Sequence, residues 1–219
     1  ANMVRSVIFS ARGDGKIVRP WPGVEVQDVT ADIAESLGFK RPVGAMVVNV
    51  PPFSPLGKAG IKRGDVLLSV DKKQIESARE FAYRFATLRI GKNAAIELRR
   101  RGKPVKARVE LIEPPEVPAR NTSRVGGNNP FSGLLVANLS PAVAEELGVD
   151  SNETGVVILD VDNNGPARRI GFRKGDILVE INDRPIDKVA DLRDTIRNSD
   201  DWWGFAVSRD GRIRRGRLN

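Results

Sequence analysis

The chain repeats itself once, and this constrains its fold more than any other feature. Residues 60–75, GIKRGDVLLSVDKKQI, align with residues 171–186, GFRKGDILVEINDRPI; five of the sixteen positions are identical. Most of the others exchange Lys for Arg or Val, Ile and Leu among themselves. Three further blocks recur in the same order. AMVVNV (45–50) matches VVILDV (156–161), ADIAESLG (31–38) matches PAVAEELG (141–148), and RRGK (100–103) matches RDGR (209–212). The offsets drift only between 109 and 111 residues. A period of that length is a domain rather than a solenoid repeat, so each copy must close its own core. The copies occupy residues 19–112 and 130–219. Between them, residues 113–129 carry three Pro, two Gly and no apolar periodicity, which reads as a linker with a stiff first half and a flexible second half.

Both copies have the same pattern. Val24–Val26 and Leu134–Val136 are short strands after a turn, and Ala31–Leu37 and Ala142–Leu147 are one or two helical turns stopped by Gly38 and Gly148. Met46–Val50, Val156–Val161, Val66–Val70 and Ile177–Ile181 are apolar enough for central strands. A helix follows in each copy. Ser77 and Glu80 make a capping box ahead of Phe81, Phe85 and Leu88, and Val189, Leu192 and Ile196 form the matching face. Each copy ends in a hairpin, turning at Arg101-Gly102 and Asp210-Gly211. The expected class is mainly β (α+β), two small domains with two short helices each. Met3, Val4, Val7, Ile8 and Ala11 give a helical stripe outside both copies, so residues 1–18 read as the end of an upstream domain plus a connector.

Composition excludes much chemistry. With no His and no Cys there is no Ser-His-Asp or Cys-His catalysis, no His-ligated metal, no disulfide framework and no thiolate site. A Ser–Lys dyad or an all-carboxylate site is left open, but Glu145, Glu146, Asp200 and Asp201 are scattered. No catalytic residue, metal or cofactor is expected. The net charge of +8 is uneven, at +9 over residues 1–120 and −1 over residues 121–219. Arg99, Arg100, Arg101, Lys103, Lys106 and Arg108 form the densest basic run, and Arg212, Arg214, Arg215 and Arg217 the second. Without interleaved aromatics these read as solvated hairpins rather than a nucleic-acid surface, with a polyanion or membrane surface as the sharper alternative. Asp65 and Asp176 are expected to accept backbone N–H bonds in the turns after Gly64 and Gly175. Of Trp202-Trp203, one ring is expected to pack under the preceding helix and one to be partly exposed.

The Gly-Asp blocks carry a resemblance. AGIKRGDVLLSVDKKQI after Ser54-Pro55, and GPARRIGFRKGDILVEINDRPI, resemble the AGL/I-x-x-GD-x-I signature of bacterial PDZ domains. The whole arrangement resembles the tandem PDZ region of periplasmic Do-type (HtrA, DegP/DegQ-like) serine proteases. NPFSGLLVANLSPAVAEELG is similar to the start of their second PDZ domain, and ANMVRSVIFSARGDGKIVRPWPGV to the last helix of their protease domain entering the first. The resemblance implies two PDZ-like domains, each a partly open small barrel or sheet, separated from a protease domain that this chain lacks.

It also implies peptide capture, in which an extended segment adds to a sheet edge and a backbone loop holds its terminal carboxylate. The family's carboxylate loop falls on Trp21-Pro22-Gly23-Val24 and on Phe131-Ser132-Gly133-Leu134. N–H groups converge there on a charged group, worth roughly 1.5–3 kcal/mol each. Both loops depart from the pattern: Pro22 has no N–H, and Ser132 puts a hydroxyl where an apolar side chain belongs. Pro22, Val24 and Val26 with Phe81 and Phe85 are implied to line the first pocket, which two Phe would make shallow and suited to a small apolar terminal residue. Leu134, Val136, Leu192 and Ile196 are implied to line the second. The helix residues fit the core equally well. The implied partners are C-termini or extended segments of unfolded proteins, the parent's protease domain and further copies in a homo-oligomer, in the periplasm. Nucleic acid is not among them. A non-enzymatic PDZ scaffold or oligomerisation module is the alternative.

Overall fold

A computed structural model describes residues 18–149, 153–199 and 202–218. The helical stripe expected near the start lies outside these residues. The described chain divides into two compact units at Pro114/Pro115. The residues expected to form a linker are therefore split, and all from Pro115 onward belong with the second unit.

The first unit contains β1 (Glu25–Asp28), α1 (Ala31–Ser36), β2 (Ala45–Asn49), α2 (Pro55–Lys58), β3 (Val66–Val70), β4 (Lys73–Gln74), α3 (Ala78–Ala86), β5 (Asn93–Arg100) and β6 (Lys103–Glu110). Its sheet runs β1-β2-β3-β5-β6, with β4 on β3, and stays open at both ends. The second unit contains β7 (Ser123–Arg124), β8 (Leu134–Asn138), α4 (Pro141–Leu147), β9 (Val156–Val161), α5 (Pro166–Ile170), β10 (Ile177–Ile181), β11 (Arg184–Pro185), α6 (Val189–Arg197), β12 (Trp203–Arg209) and β13 (Arg212–Leu218). Its sheet runs β13-β12-β10-β9-β8-β7, with β11 on β10. All pairings are antiparallel.

Local sequence explains these elements. In β5, Ala94, Ile96 and Leu98 alternate inward while their neighbours face solvent. Ser77 Oγ accepts from Glu80 N–H at 3.1 Å, and the Glu80 carboxylate reaches back to Glu76 N–H at 2.8 Å, one residue before the cap. That bond and the Arg84 guanidinium hold the Glu80 carboxyl below its ordinary pKa. Positive φ at both Asp71 and Lys72, and at Asn182 and Asp183, gives the turns into β4 and β11 the twist of two-residue hairpins. Matching bulges interrupt β1/β2 at Glu25/Val26 and β8/β9 at Leu135/Val136, so the repeat extends to irregularities of the sheet. The one-turn helices α2 and α5, not expected from the sequence, begin at Pro55 and Pro166, where proline suits the first helical position.

Each Gly-Asp block anchors a hairpin. Asp65, 1% exposed, accepts from Lys62 N–H at 2.9 Å, as expected of a turn acid. It also receives Arg100 Nε at 2.8 Å and the terminal nitrogen at 2.7 Å, while that nitrogen donates to Gly60 O at 2.6 Å. The second unit repeats this to the atom. Asp176 accepts from Arg173 N–H at 2.9 Å and from Arg209 at 2.6 and 2.7 Å, and Arg209 donates to Gly171 O at 2.9 Å. The carboxylates push both guanidinium pKa values above the ordinary arginine range. Arg100 is thus committed to the fold rather than to the basic surface. Lys106 pairs with Glu97 at 2.9 Å, and Arg99 lies over the Phe39 ring at 5.3 Å. Half of the densest basic run is engaged within its own domain.

Candidate peptide-binding grooves

In the first unit β1 ends the sheet, so one edge of its backbone pairs with β2 and the other faces away from it. Helix α3 is tied to the end of this strand, because Ala78 N–H donates to Asp28 Oδ1 at 2.7 Å. A groove between strand and helix follows, and the loop Trp21-Pro22-Gly23-Val24 closes its other end. Gly23 has φ +59°, and a Cβ there would sit 2.4 Å from Ser54 Cβ and 2.8 Å from the Trp21 ring. Only glycine satisfies both the conformation and the space. Trp21 is buried, donates its backbone N–H to Ile112 O at 2.9 Å and stacks its ring on Phe53 with centroids 6.4 Å apart. Among the described residues, the N–H groups of Gly23 and Val24 find no acceptor.

The pocket residues expected from sequence divide. Pro22, Val24 and Val26 are partly exposed. Phe81 and Phe85 are each 1% exposed, 5.6 Å apart, in the core cluster against which Val24 and Val26 pack. Their rings lie beneath the groove wall, not on its surface.

The second unit builds the same groove and fills it. Val189 N–H donates to Asn138 Oδ1 at 2.7 Å, the counterpart of the Ala78–Asp28 bond. Gly133 has φ +95°, and a Cβ there would meet Asp162 Cβ at 3.1 Å and Gly165 Cα at 3.3 Å. All three loop donors are used internally. Ser132 N–H donates to Asn129 O at 3.2 Å, Gly133 N–H to Val125 O at 2.9 Å and Leu134 N–H to Phe131 O at 3.2 Å. Strand β7 lies against β8 in the register Ser123↔Val136 and Arg124↔Leu135. Phe131, Leu134, Val136 and Leu192 are completely buried, and Ile196 is partly buried against the same cluster. Phe131 sits among Phe172, Trp203 and Phe205 at 5.7, 5.5 and 6.2 Å. Trp203 is thus the packed ring of its pair; Trp202 is 39% exposed, with Arg217 over it at 5.1 Å.

The sequence reading missed β7, the Asp28 and Asn138 ties and the paired arginines. No group of three or more acidic side chains among the described residues is arranged to hold a metal ion.

An open antiparallel sheet, an edge strand facing a helix and a glycine loop at the strand's start, built twice, are the features of tandem PDZ domains. The PDZ domain family matches residues 22–111 and 136–215, and the chain belongs to that family. It is 34% identical over 207 residues to a probable periplasmic serine endoprotease DegP-like of Bartonella henselae, covering 91% of this chain and 39% of that protein. It is 32% identical over 199 residues to a protein of the same description from Rhizobium meliloti, covering 91% and 40%. The chain therefore spans about two fifths of the length of these relatives. Among solved structures, an HtrA-type protease AlgW with decapeptide is 31% identical over 52% of this chain and 35% of that one, with a TM-score of 0.44.

Proposed function

We propose that this chain is the substrate-capturing region of a periplasmic serine endoprotease of the DegP-like kind, and that its first groove takes extended or C-terminal segments of unfolded proteins for the protease domain. One observation carries the reading: among the described residues, β1 keeps an unpaired edge beside two unpaired loop N–H groups, whereas every equivalent group of the second unit is occupied. An extended chain adds to such an edge by main-chain hydrogen bonds, and its terminal carboxylate meets the Gly23 and Val24 N–H groups. Pro22 supplies no third donor. Since Phe81 and Phe85 close the wall beneath Val24 and Val26, the depression left for the last side chain is shallow and favours Ala or Val. The relatives' description as periplasmic endoproteases supports the setting.

The test is fluorescence anisotropy with a labelled peptide ending in Val, as the free acid and as the amide. The free acid should bind with a Kd on the order of 1–10 µM, or about −7 to −8 kcal/mol. The amide should bind at least about tenfold more weakly, having lost one charge-assisted contact. Equal affinity for both forms removes the carboxylate from the reading, and no saturable binding of any apolar-ended peptide removes the capture role.

A further inference from the structure

We infer that residues 119–125 are a tethered ligand of the second groove, which a peptide in trans enters only by displacing them. This rests on reading both grooves as peptide sites, and it concerns how the second one is regulated.

The segment makes the contacts an added peptide would make. It runs antiparallel to β8: Asn138 N–H donates to Arg120 O at 2.7 Å at one end, and Val125 N–H to Leu134 O at 2.8 Å at the other. The Val125 side chain is 9% exposed, in the core cluster that also holds Phe131, Leu134 and Leu192. Its carbonyl accepts the Gly133 N–H, the loop donor a terminal carboxylate would use. From the helix side, Arg193 of α6 donates to Ser123 Oγ at 2.8 Å. Ser-Arg-Val therefore lies between strand and helix with a small branched residue at the loop.

One atom separates the two grooves at their far end. Asp28 and Asn138 both accept a helix N–H through Oδ1. The second oxygen of Asp28 cannot donate, whereas Asn138 Nδ2 donates to Ala119 O at 2.7 Å. The second groove thus holds the passing chain at Ala119, Arg120, Ser123 and Val125, and the first has no donor at the equivalent of Asn138 Nδ2.

The strap is built to leave. Only Ser123 and Arg124 are in regular pairing. Asn121, Thr122 and Arg124 are exposed, and the chain continues through Gly126-Gly127. A short flexible tether presents its ligand at an effective concentration on the order of 1 mM. For a strap whose own intrinsic Kd is about 10 µM, that occupancy weakens binding in trans by about 100-fold.

The experiment uses the whole chain, isotopically labelled, titrated with the pentapeptide Asn-Thr-Ser-Arg-Val as the free acid and followed by the amide signals of Gly133 and Leu134. Arg124 and Leu135 face each other, and the chain has no cysteine, so Arg124→Cys with Leu135→Cys forms one disulfide that fastens the strap. Ser123→Ala with Val125→Ser loosens the strap and leaves the groove itself unchanged. The loosened protein should move its Gly133 signal at about 100-fold lower peptide than the parent. The oxidised double-cysteine protein should not respond until it is reduced. The inference is overturned if fastening leaves the response unchanged. It is equally overturned if the loosened protein keeps its dispersed spectrum yet gains no affinity, or loses that spectrum, which makes 119–125 a permanent strand of the domain. Ser123→Ala alone, which removes only the strap's surface bond to Arg193, should still give a partial gain, and no gain there counts against the inference. Gly23 and Val24 signals report the first groove separately, so failure of the capture reading shows as their silence whatever Gly133 does.

Discussion

Removing Arg209 should unfold the second domain far more easily than its position at a hairpin end suggests. Arg209→Ala leaves the Asp176 carboxylate, 1% exposed, with the Arg173 N–H as its one remaining hydrogen-bond partner among the described residues, and frees Gly171 O from its donor. Truncating one member of a buried pair costs about 3–5 kcal/mol. The Arg209 side chain is 16% exposed, which brings the expectation to the lower end, about 3 kcal/mol. The equivalent Arg100 is 32% exposed, and the greater screening puts Arg100→Ala nearer about 2 kcal/mol. For a domain of this size each kcal/mol moves Tm by about 4–8 °C, so the shifts are about 12–24 °C and 8–16 °C. Urea titrations followed by the amide signals of Ile96 and Val207 separate the domains, and each variant should move only its own. Arg197→Ala is the internal control: its contact with Asp194 is 3.6 Å long and mostly exposed, and its loss should be undetectable. Losses as small as the control's, or a larger loss for Arg100 than for Arg209, would refute the burial argument.

Three further outcomes are expected. Gly23→Ala should abolish peptide binding to the first groove, measured by anisotropy, because a Cβ at φ +59° meets Ser54 and Trp21, while the Gly133 and Leu134 signals stay in place. Phe131→Ala should cost the second domain about 3–5 kcal/mol in urea unfolding, since the ring is fully buried among three other aromatics. Glu80→Gln should lower first-domain stability at pH 7, by a margin that shrinks as the pH falls below the ordinary carboxyl range. The folded carboxyl titrates below its ordinary value, so its contribution is complete above about pH 4.3 and lost as pH falls through the folded pKa.

The strands and the long helices of both domains were legible because they follow from repetition and periodicity. Two copies of a pattern fix the register of each other's ambiguities: Gly38 and Gly148, or Arg101-Gly102 and Asp210-Gly211, mean more as pairs than singly. The candidate site was half legible. The loops and groove walls could be placed by resemblance, but nothing local says whether Phe81 faces a ligand or the core, since both environments demand the same side chain. Strand β7 was hidden because Ser123 and Arg124 have no alternating pattern, and their order comes from β8 and α6, distant in sequence. A signal was present: Val125 is the one branched apolar residue between Val117 and Phe131, in a stretch otherwise fit for solvent. The arginine anchors were hidden in the same way. Arg100 and Arg209 recur at the same place in both hairpins, and recurrence of a charge beside a recurring buried acid points to a partner, not a patch.

The outer edges of the two sheets are the counterpart of the open groove. β6 ends one sheet and shows Lys103 and Arg108 to solvent, and β13 ends the other with Arg212, Arg214, Arg215 and Arg217 exposed. Two such edges from different molecules would have to meet at about 4.8 Å, well inside the screening length of about 8 Å at physiological salt. Like charges therefore act as bumpers that keep neighbouring copies from zipping into a continuous sheet, while short β1, bearing Glu25 and Asp28, stays available. The chain's colloidal behaviour and its recognition of ligand are set by different edges. Concentrated salt should cloud the solution by relaxing the bumpers well before it weakens the backbone pairing in the groove.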